Sequence, residues 1–457
     1  MISRHVLHVS TGGTGVGQLS FDAREDRYAF AYAAEWVKAR SAFFLAPAIP
    51  LSGDAAASGA VHRFLENLLP EGRALDIAAI VNQVSKANTF ALIHALGKEP
   101  VGALSFLALN ADSEEAARAA LKQEIEPIRR RLSHEELSQR IRERDAFPFP
   151  VWDGKVRLSL AGYQDKLQVL VEGDELSFAD GALSSTHLLK PESLNPFTPH
   201  MVANEHFCMT LAARMGLPVA PVTIRRLPEP VLLIERFDRT VLWSKEVEAR
   251  AEAVTRIHVI DACQALDVPS TFKYERNLGA GADVRDIREG VSFERLFSLL
   301  DMMVASAKAR QFLLRFALLQ LLLGNSDAHG KNISFRVQKE GLAPAPLYDL
   351  VCVHVYGDKI DGDMAMAYGD VFRMEDISPF ALADFARRTD TPRPQLAREL
   401  TKMADLALTL APSLAASDAY SGEERATVAR IADYVCAQAR RLQKIAQEVP
   451  RVDASLL

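Results

Sequence analysis

Asp327 and Asn332 stand five residues apart in the octet Asn325-Ser326-Asp327-Ala328-His329-Gly330-Lys331-Asn332, and Asp349 follows Asn332 by seventeen. Two carboxylates and a carboxamide at these separations suit the transfer of a phosphoryl group. Such transfer asks little covalent work of a protein. It needs magnesium held in place, an acceptor hydroxyl oriented and negative charge offset. In that chemistry Asp327 accepts the proton of the acceptor hydroxyl, while Asn332 and Asp349 hold the metal. Taken alone, the octet fits capping and turn formation equally well, because Asp, His and Asn are common in polar turns.

The flanks say what positions the octet. Phe312, Phe316, Leu319 and Leu323 recur at +4, +7 and +11, one face of a buried helix, and Gly324 is a natural C-terminal cap. Residues 333–337 alternate as a strand does. The octet is thus a loop between rigid elements, where functional residues concentrate.

Upstream, four further parts needed to handle a nucleotide occur in order. The first is Ser159-Leu160-Ala161-Gly162-Tyr163-Gln164-Asp165-Lys166, between two strand-like segments. Small residues there let backbone N–H groups approach phosphate, although with one glycine a plain β-turn explains the segment equally. The second is Lys190, at the end of strand-like 187–190 and before Pro191. It suits a charge on α- and β-phosphates, or is simply a lysine exposed at a strand end. Glu205, third, begins a helix after Asn204, either as a partner for that lysine or as a first-turn acid favoured by the helix dipole. The fourth, residues 231–239, is an apolar strand that breaks into Glu235-Arg236-Phe237-Asp238-Arg239. It reads as a hinge beside an adenine pocket or as a strand entering a surface turn.

A chain of 457 residues can hold two or three domains, and 49% hydrophobic with 25% charged residues is ordinary for a soluble globular protein. A net charge of −6 makes nucleic acid an unpromising direct partner. Cys208, Cys263, Cys352 and Cys436 lie far apart in hydrophobic stretches, which reads as reduced core residues rather than a zinc site. Residues 1–13 lack the apolar core of a signal peptide, and the greasiest run, 312–323, contains Arg315 and Gln320. The expectation is a cytoplasmic protein with no membrane partner.

Residues 1–112 read as a β-rich subdomain with one helix, over 61–69, and a buried strand over 101–106. Residues 113–147 read as a helical connector, with a capping-box signal at Ser133 and Glu136 and charges on a solvated face. Residues 148–240 carry strand signals at 166–171, 187–190, 219–225 and 231–235, interrupted by a helix bearing Phe207, Leu211 and Met215 and ending at Gly216. Residues 241–457 are mostly helical, closing with a helix over 421–448 capped by Ser421 and Glu424; residues 249–255 and 277–284 read as mobile loops.

Together these segments resemble the HipA family of serine/threonine kinases, toxins of bacterial type II toxin–antitoxin modules. The resemblance runs almost end to end. It rests on residues 64–70, 101–103, 159–166 and 186–190, Asn204-Glu205, residues 235–239, Cys263-Gln264-Ala265-Leu266, Lys273-Tyr274-Glu275, the octet and Tyr348-Asp349. It implies an α+β, two-lobed protein-kinase-like fold: a β-rich N-lobe with an extra N-terminal β subdomain, and a helical C-lobe.

By the same resemblance Asp327 is the catalytic base, and Asn332 and Asp349 hold Mg²⁺. ATP is met by Lys190, by Ala161, Gly162, Tyr163, Gln164, Asp165 and Lys166, and by the hinge at Glu235, Arg236 and Phe237, with Glu235 and Phe237 using their backbone. Tyr348 packs on the adenine ring, and His329, Gly330 and Lys331 border the phosphates. Ser159 matches a serine that the family phosphorylates on itself, expelling the phosphate loop. Tyr163 departs from the family's small third loop residue, which puts that switch in doubt.

The implied partners are a HipB-like helix-turn-helix antitoxin, operator DNA mainly through that antitoxin, and a protein substrate; family targets include aminoacyl-tRNA synthetases. Two other readings stand beside the protein kinase: a corepressor acting chiefly through the antitoxin, and a small-molecule kinase on a related fold.

Overall fold

Period-two alternation builds the first sheet. In strand Arg27–Tyr32 the buried positions are Tyr28 and Phe30, with exposed residues between them. That strand pairs with Thr14–Asp22, which pairs with Arg4–Thr11, which pairs with Ser105–Leu107, all antiparallel. Leu7, Val9, Leu19 and Phe106 are buried. The structure, a computed structural model, describes residues 4–108, 126–157, 164–360 and 362–457.

The chain divides into two compact units. The first comprises Met1–Pro191, Arg225–Ile260 and Phe335–Gly341; the second comprises Glu192–Ile224, Asp261–Ser334 and Leu342–Leu457.

Besides its N-terminal sheet, the first unit holds helices Ala34–Lys38, Ser58–Leu68, Gly72–Val81 and Thr89–Leu96, where one helix was expected. Their short apolar runs lack the length that separates a buried helix from a strand on periodicity alone. Within the same unit, strands Pro230–Glu235, His187–Pro191, Leu167–Glu172, Glu175–Asp180 and Ile128–Leu132 follow one another in an antiparallel sheet. Val169, Phe178, Leu189, Val231 and Leu233 form its core with Phe149 and Trp152.

Two expectations fail in this unit. Residues 128–132, expected to be helical, form an edge strand. Their arginines meet acids on the sheet, Arg129 with Glu172 at 2.8 Å and Arg131 with Glu175 at 3.1 Å. A run of charge looks like a helix surface until its cross-strand partners are known. The helix expected next to it does form, over His134–Arg142, with Ser133 Oγ accepting from Glu136 N–H at 3.1 Å; residues 113–125 lie outside the described residues. Ala251–Arg256 is a strand paired with Arg239–Trp243, not a mobile loop, and buries Ala251 and Val254 against Leu170 and Leu183.

The second unit is built on helices. Helix Ser306–Leu323 is buried almost all round from Leu313 to its end, and packs against Arg393–Ala415 and Glu424–Glu448. Gly324 ends it at φ 67°, where a Cβ would also strike the Tyr434 ring. The final α-helix begins at Glu424, three residues later than expected, with Glu423 and not Ser421 as its N-cap; Ser421 N–H donates to Glu424 Oε2 at 2.9 Å. All four cysteines are buried, and none forms a disulfide. Among the described residues no helix is long and apolar enough to cross a membrane.

Candidate active site

The octet follows directly from the Gly324 cap. Asn325 N–H returns to Gln320 O at 3.0 Å and its Nδ2 donates to Gln320 Oε1 at 2.9 Å, so the loop leaves the helix at a fixed angle. Asn325 Oδ1 then accepts from Asp327 N–H at 3.2 Å. Asp327 O accepts twice, from His329 N–H at 2.9 Å and from Asn332 Nδ2 at 2.8 Å. Asn332 thereby spends its NH₂ on the loop, and its Oδ1 is the atom suited to a metal. Of the eight residues, seven are buried and Asp327 alone is exposed. One carboxylate facing solvent from an otherwise closed, hydrogen-bonded loop is the geometry a proton acceptor needs. Its Oδ1 accepts from the Tyr274 hydroxyl at 2.7 Å.

Lys331 and His329 are held from inside the same unit. Lys331 Nζ lies 2.6 Å from Asp261 Oδ2, with only 3% of the lysine side chain exposed. His329 Nδ1 accepts from Lys331 N–H at 3.3 Å, which leaves the ring proton on Nε2. Burial, then the charge of Lys273, pushes the His329 imidazole down to about 3 in spite of Asp349, so the ring is neutral at pH 7. The Tyr348 hydroxyl donates to Lys331 O at 2.7 Å and lies 2.7 Å from Ser334 Oγ. Asp349, the next residue, takes the left-handed conformation at φ 56°, sparsely populated for anything but glycine and more often seen at functional sites.

In the first unit, Lys190 is buried at 5% exposure opposite Leu232 in the antiparallel pair of His187–Pro191 and Pro230–Glu235. Lys166 is buried, and Gln164 and Asp165 are half-buried. Burial raises the Asp165 carboxyl above its ordinary range. Ser159, Ala161, Gly162 and Tyr163 lie outside the described residues. At the hinge, Glu235 is exposed and Phe237 half-buried. The Arg236 guanidinium turns onto Asp238, at 3.0 and 2.8 Å, and onto Ser185 Oγ at 3.0 Å, and its backbone N–H donates to Thr186 O at 2.9 Å.

Among the described residues no three His, Cys, Asp or Glu side chains group into a metal centre. A carboxamide and a carboxylate oxygen, the donors that Asn332 and Asp349 carry, would suit magnesium, which keeps waters and phosphate oxygens as its other ligands.

Two family matches cover most of the chain: the HipA N-terminal domain over residues 7–107 and the HipA-like C-terminal domain over residues 158–449. The chain belongs to the HipA family. It is 42% identical over 399 residues to the serine/threonine-protein kinase toxin HipA of Shewanella oneidensis, covering 87% of this chain and 86% of that one. It is 32% identical over 405 residues to the putative kinase Y4mE of Sinorhizobium fredii, covering 88% and 89%. The solved structure of Shewanella oneidensis HipA with HipB and operator DNA superposes with a TM-score of 0.85 at 39% identity, over 98% of this chain and all of that one.

Three residues of this HipA-family chain take part in the site's geometry without an assigned role from sequence: Tyr274, Asp261 and Asn204. Tyr274 and Asn204 fall in segments that carried the family resemblance. Nothing local marks a tyrosine 53 residues from its carboxylate partner. Asp261 had a readable signal, the capping box it forms with Gln264 at the start of Ala262–Ala265. Helix Met201–Arg214 starts earlier than expected, so Asn204 lies in its first turns and is fully buried, and Glu205, buried at 1%, lies beyond the first turn and is not a first-turn acid.

Proposed function

We propose that the chain is a Mg·ATP-dependent serine/threonine protein kinase and the toxin of a type II toxin–antitoxin module. The observation that carries this reading is the octet, in which Asp327 alone reaches solvent while Asn332 is tied to the Asp327 carbonyl. The serine/threonine-protein kinase toxin of Shewanella oneidensis, 42% identical to this chain, supports it. Asp327 takes the proton of a serine or threonine hydroxyl as its oxygen bonds to the γ-phosphorus of ATP, and ADP departs. Asn332 and Asp349 hold Mg²⁺, which offsets charge on the transferring group. Lys190, residues 161–166 and the backbone of Glu235 and Phe237 bind the nucleotide, with Tyr348 against adenine and neutral His329 near the phosphates.

The two-lobed kinase-like fold, the division at 1–112, 113–147, 148–240 and 241–457, autophosphorylation of Ser159 and a cytoplasmic setting belong to the same reading. So does a substrate from translation, an aminoacyl-tRNA synthetase being the expected class.

Intact mass after incubation with Mg·ATP tests the proposal. Wild type gains a phosphoryl group or transfers one to dephosphorylated casein, and Asp327→Asn does neither while folding normally. Undiminished transfer by Asp327→Asn overturns it. The solved complex of the Shewanella relative with HipB and operator DNA favours a second reading, a corepressor working through a helix-turn-helix antitoxin. Operator affinity of the antitoxin, measured with and without this chain, distinguishes it.

A further inference from the structure

We propose that Tyr274 is a positioning residue that orients the Asp327 carboxylate toward the acceptor hydroxyl. The inference rests on the reading of Asp327 as proton acceptor and adds what holds it. Asp327 is exposed, so packing does not fix its side chain. The last torsion of an aspartate is broad and nearly two-fold. A directional hydrogen bond is therefore the available means of selecting one orientation. Tyr274 supplies it: its O–H lies 2.7 Å from Oδ1, and an ionised carboxylate can only accept, so the phenol proton points at Asp327. With Oδ1 so engaged, the direction of Oδ2 is set as well.

The segment that carries the phenol is itself fastened. Main-chain bonds fasten residues 272–275 to the octet and its neighbours: Gly330 N–H to Lys273 O at 2.8 Å, Val291 N–H to Phe272 O at 2.9 Å, and Gly290 N–H to Glu275 O at 3.2 Å. Glu275 N–H donates to Ala365 O at 2.9 Å, and Ala365 N–H to Ser326 O, one residue before Asp327, at 2.8 Å. The ring stands edge-on to His329, with centroids 5.0 Å apart at 87°, and Lys273 Nζ is 5.4 Å from the ring centroid. These bonds tie the segment to the octet, which favours a constant aim of the phenol at Asp327.

Tyr274→Phe keeps the ring and removes the donor. Transfer from Mg·ATP to dephosphorylated casein, and to water in its absence, is followed from pH 5 to 9. We expect kcat to fall about tenfold, the value of one charge-assisted hydrogen bond, with KM for ATP within about twofold. The acid limb of kcat moves to higher pH, because a carboxylate without its donor holds a proton more firmly. In an Asp327→Asn background the same change has no further effect. Unchanged or raised kcat, or an acid limb that stays put, overturns the proposal; a raised kcat would show the phenol occupying the acceptor's place.

Wild type that neither binds nor consumes Mg·ATP, or an active Asp327→Asn, instead defeats the underlying kinase reading. A measurement free of turnover completes the test. With 3-fluorotyrosine at position 274, the fluorine resonance shifts on Asp327→Asn, and an unmoved resonance denies the contact.

Discussion

Asn204 is the point at which a single truncation should do most damage near Asp349. Its side chain is fully buried and meets both main-chain groups of Cys352, donating from Nδ2 to the carbonyl at 2.9 Å and accepting at Oδ1 from the N–H at 2.8 Å. Nδ2 also donates to the Tyr356 hydroxyl at 3.0 Å, and Cys208 Sγ to Oδ1 at 3.4 Å. Asn204→Ala strands a buried N–H and a buried C=O at once. Each orphaned group costs about 1–3 kcal/mol, so the variant should lose about 3–5 kcal/mol. That is a large share of the stability of a typical domain.

The loss has a functional edge, because Cys352 lies three residues beyond Asp349, whose left-handed backbone needs its surroundings fixed. Transfer from Mg·ATP should therefore fall further than the unfolded fraction explains. Asn204→Asp sharpens the test. It keeps an acceptor for the Cys352 N–H but sets a carboxylate against the Cys352 carbonyl. The new acid is then protonated more readily folded than unfolded, so this variant regains stability as pH falls. Urea unfolding, read by hydrogen exchange in peptides covering 201–214 and 349–356, measures both variants. A loss below about 1 kcal/mol in Asn204→Ala would show that other groups or water replace its bonds, and would refute the argument.

His258 supplies a pH dependence in the first unit. Burial holds its imidazole at about 4, below the ordinary 6.5, while Nε2 donates to Leu45 O at 2.9 Å. The unfolded chain takes the proton first, so the contribution is complete above pH 6.5 and is lost between 6.5 and 4. About 2 kcal/mol is gone by pH 5. His258→Gln should flatten the fall in urea midpoint between pH 7.5 and 5, and equal slopes in the two proteins would contradict this. Lys331→Met leaves the Asp261 carboxylate without its 2.6 Å partner and should cost about 3 kcal/mol. Adding Asp261→Asn should recover part of that loss, and a double variant less stable than Lys331→Met would argue against a pair energy.

Local signals were legible in the chain. Gly324 as a cap and Ser133 before its helix are one-turn effects. Strand Pro230–Glu235 and helix Ser306–Leu323 declare themselves by run and period. The octet drew a chemical reading because residue types at fixed spacing within a loop carry chemical information. What sequence did not carry is pairing at a distance. Arg129 and Arg131 lie in a strand whose acids, Glu172 and Glu175, come from far along the chain. Residues 251–256 form one because 239–243 lie alongside.

The supports of the site fall on the unreadable side of that divide. Asp327, Asn332 and Asp349 are proposed from spacing, since the chemistry proposed for them would reside in their own atoms. Tyr274, Asp261 and Asn204 matter only through the atom they reach, 53, 70 and 148 residues away. No periodicity records such a reach. The reacting groups of a loop are thus visible in sequence before the residues that aim them. In this protein the bonds that Tyr274, Asp261 and Asn204 make are hydrogen bonds of 2.6–2.9 Å, from side chains that any local reading would assign to core, cap or surface.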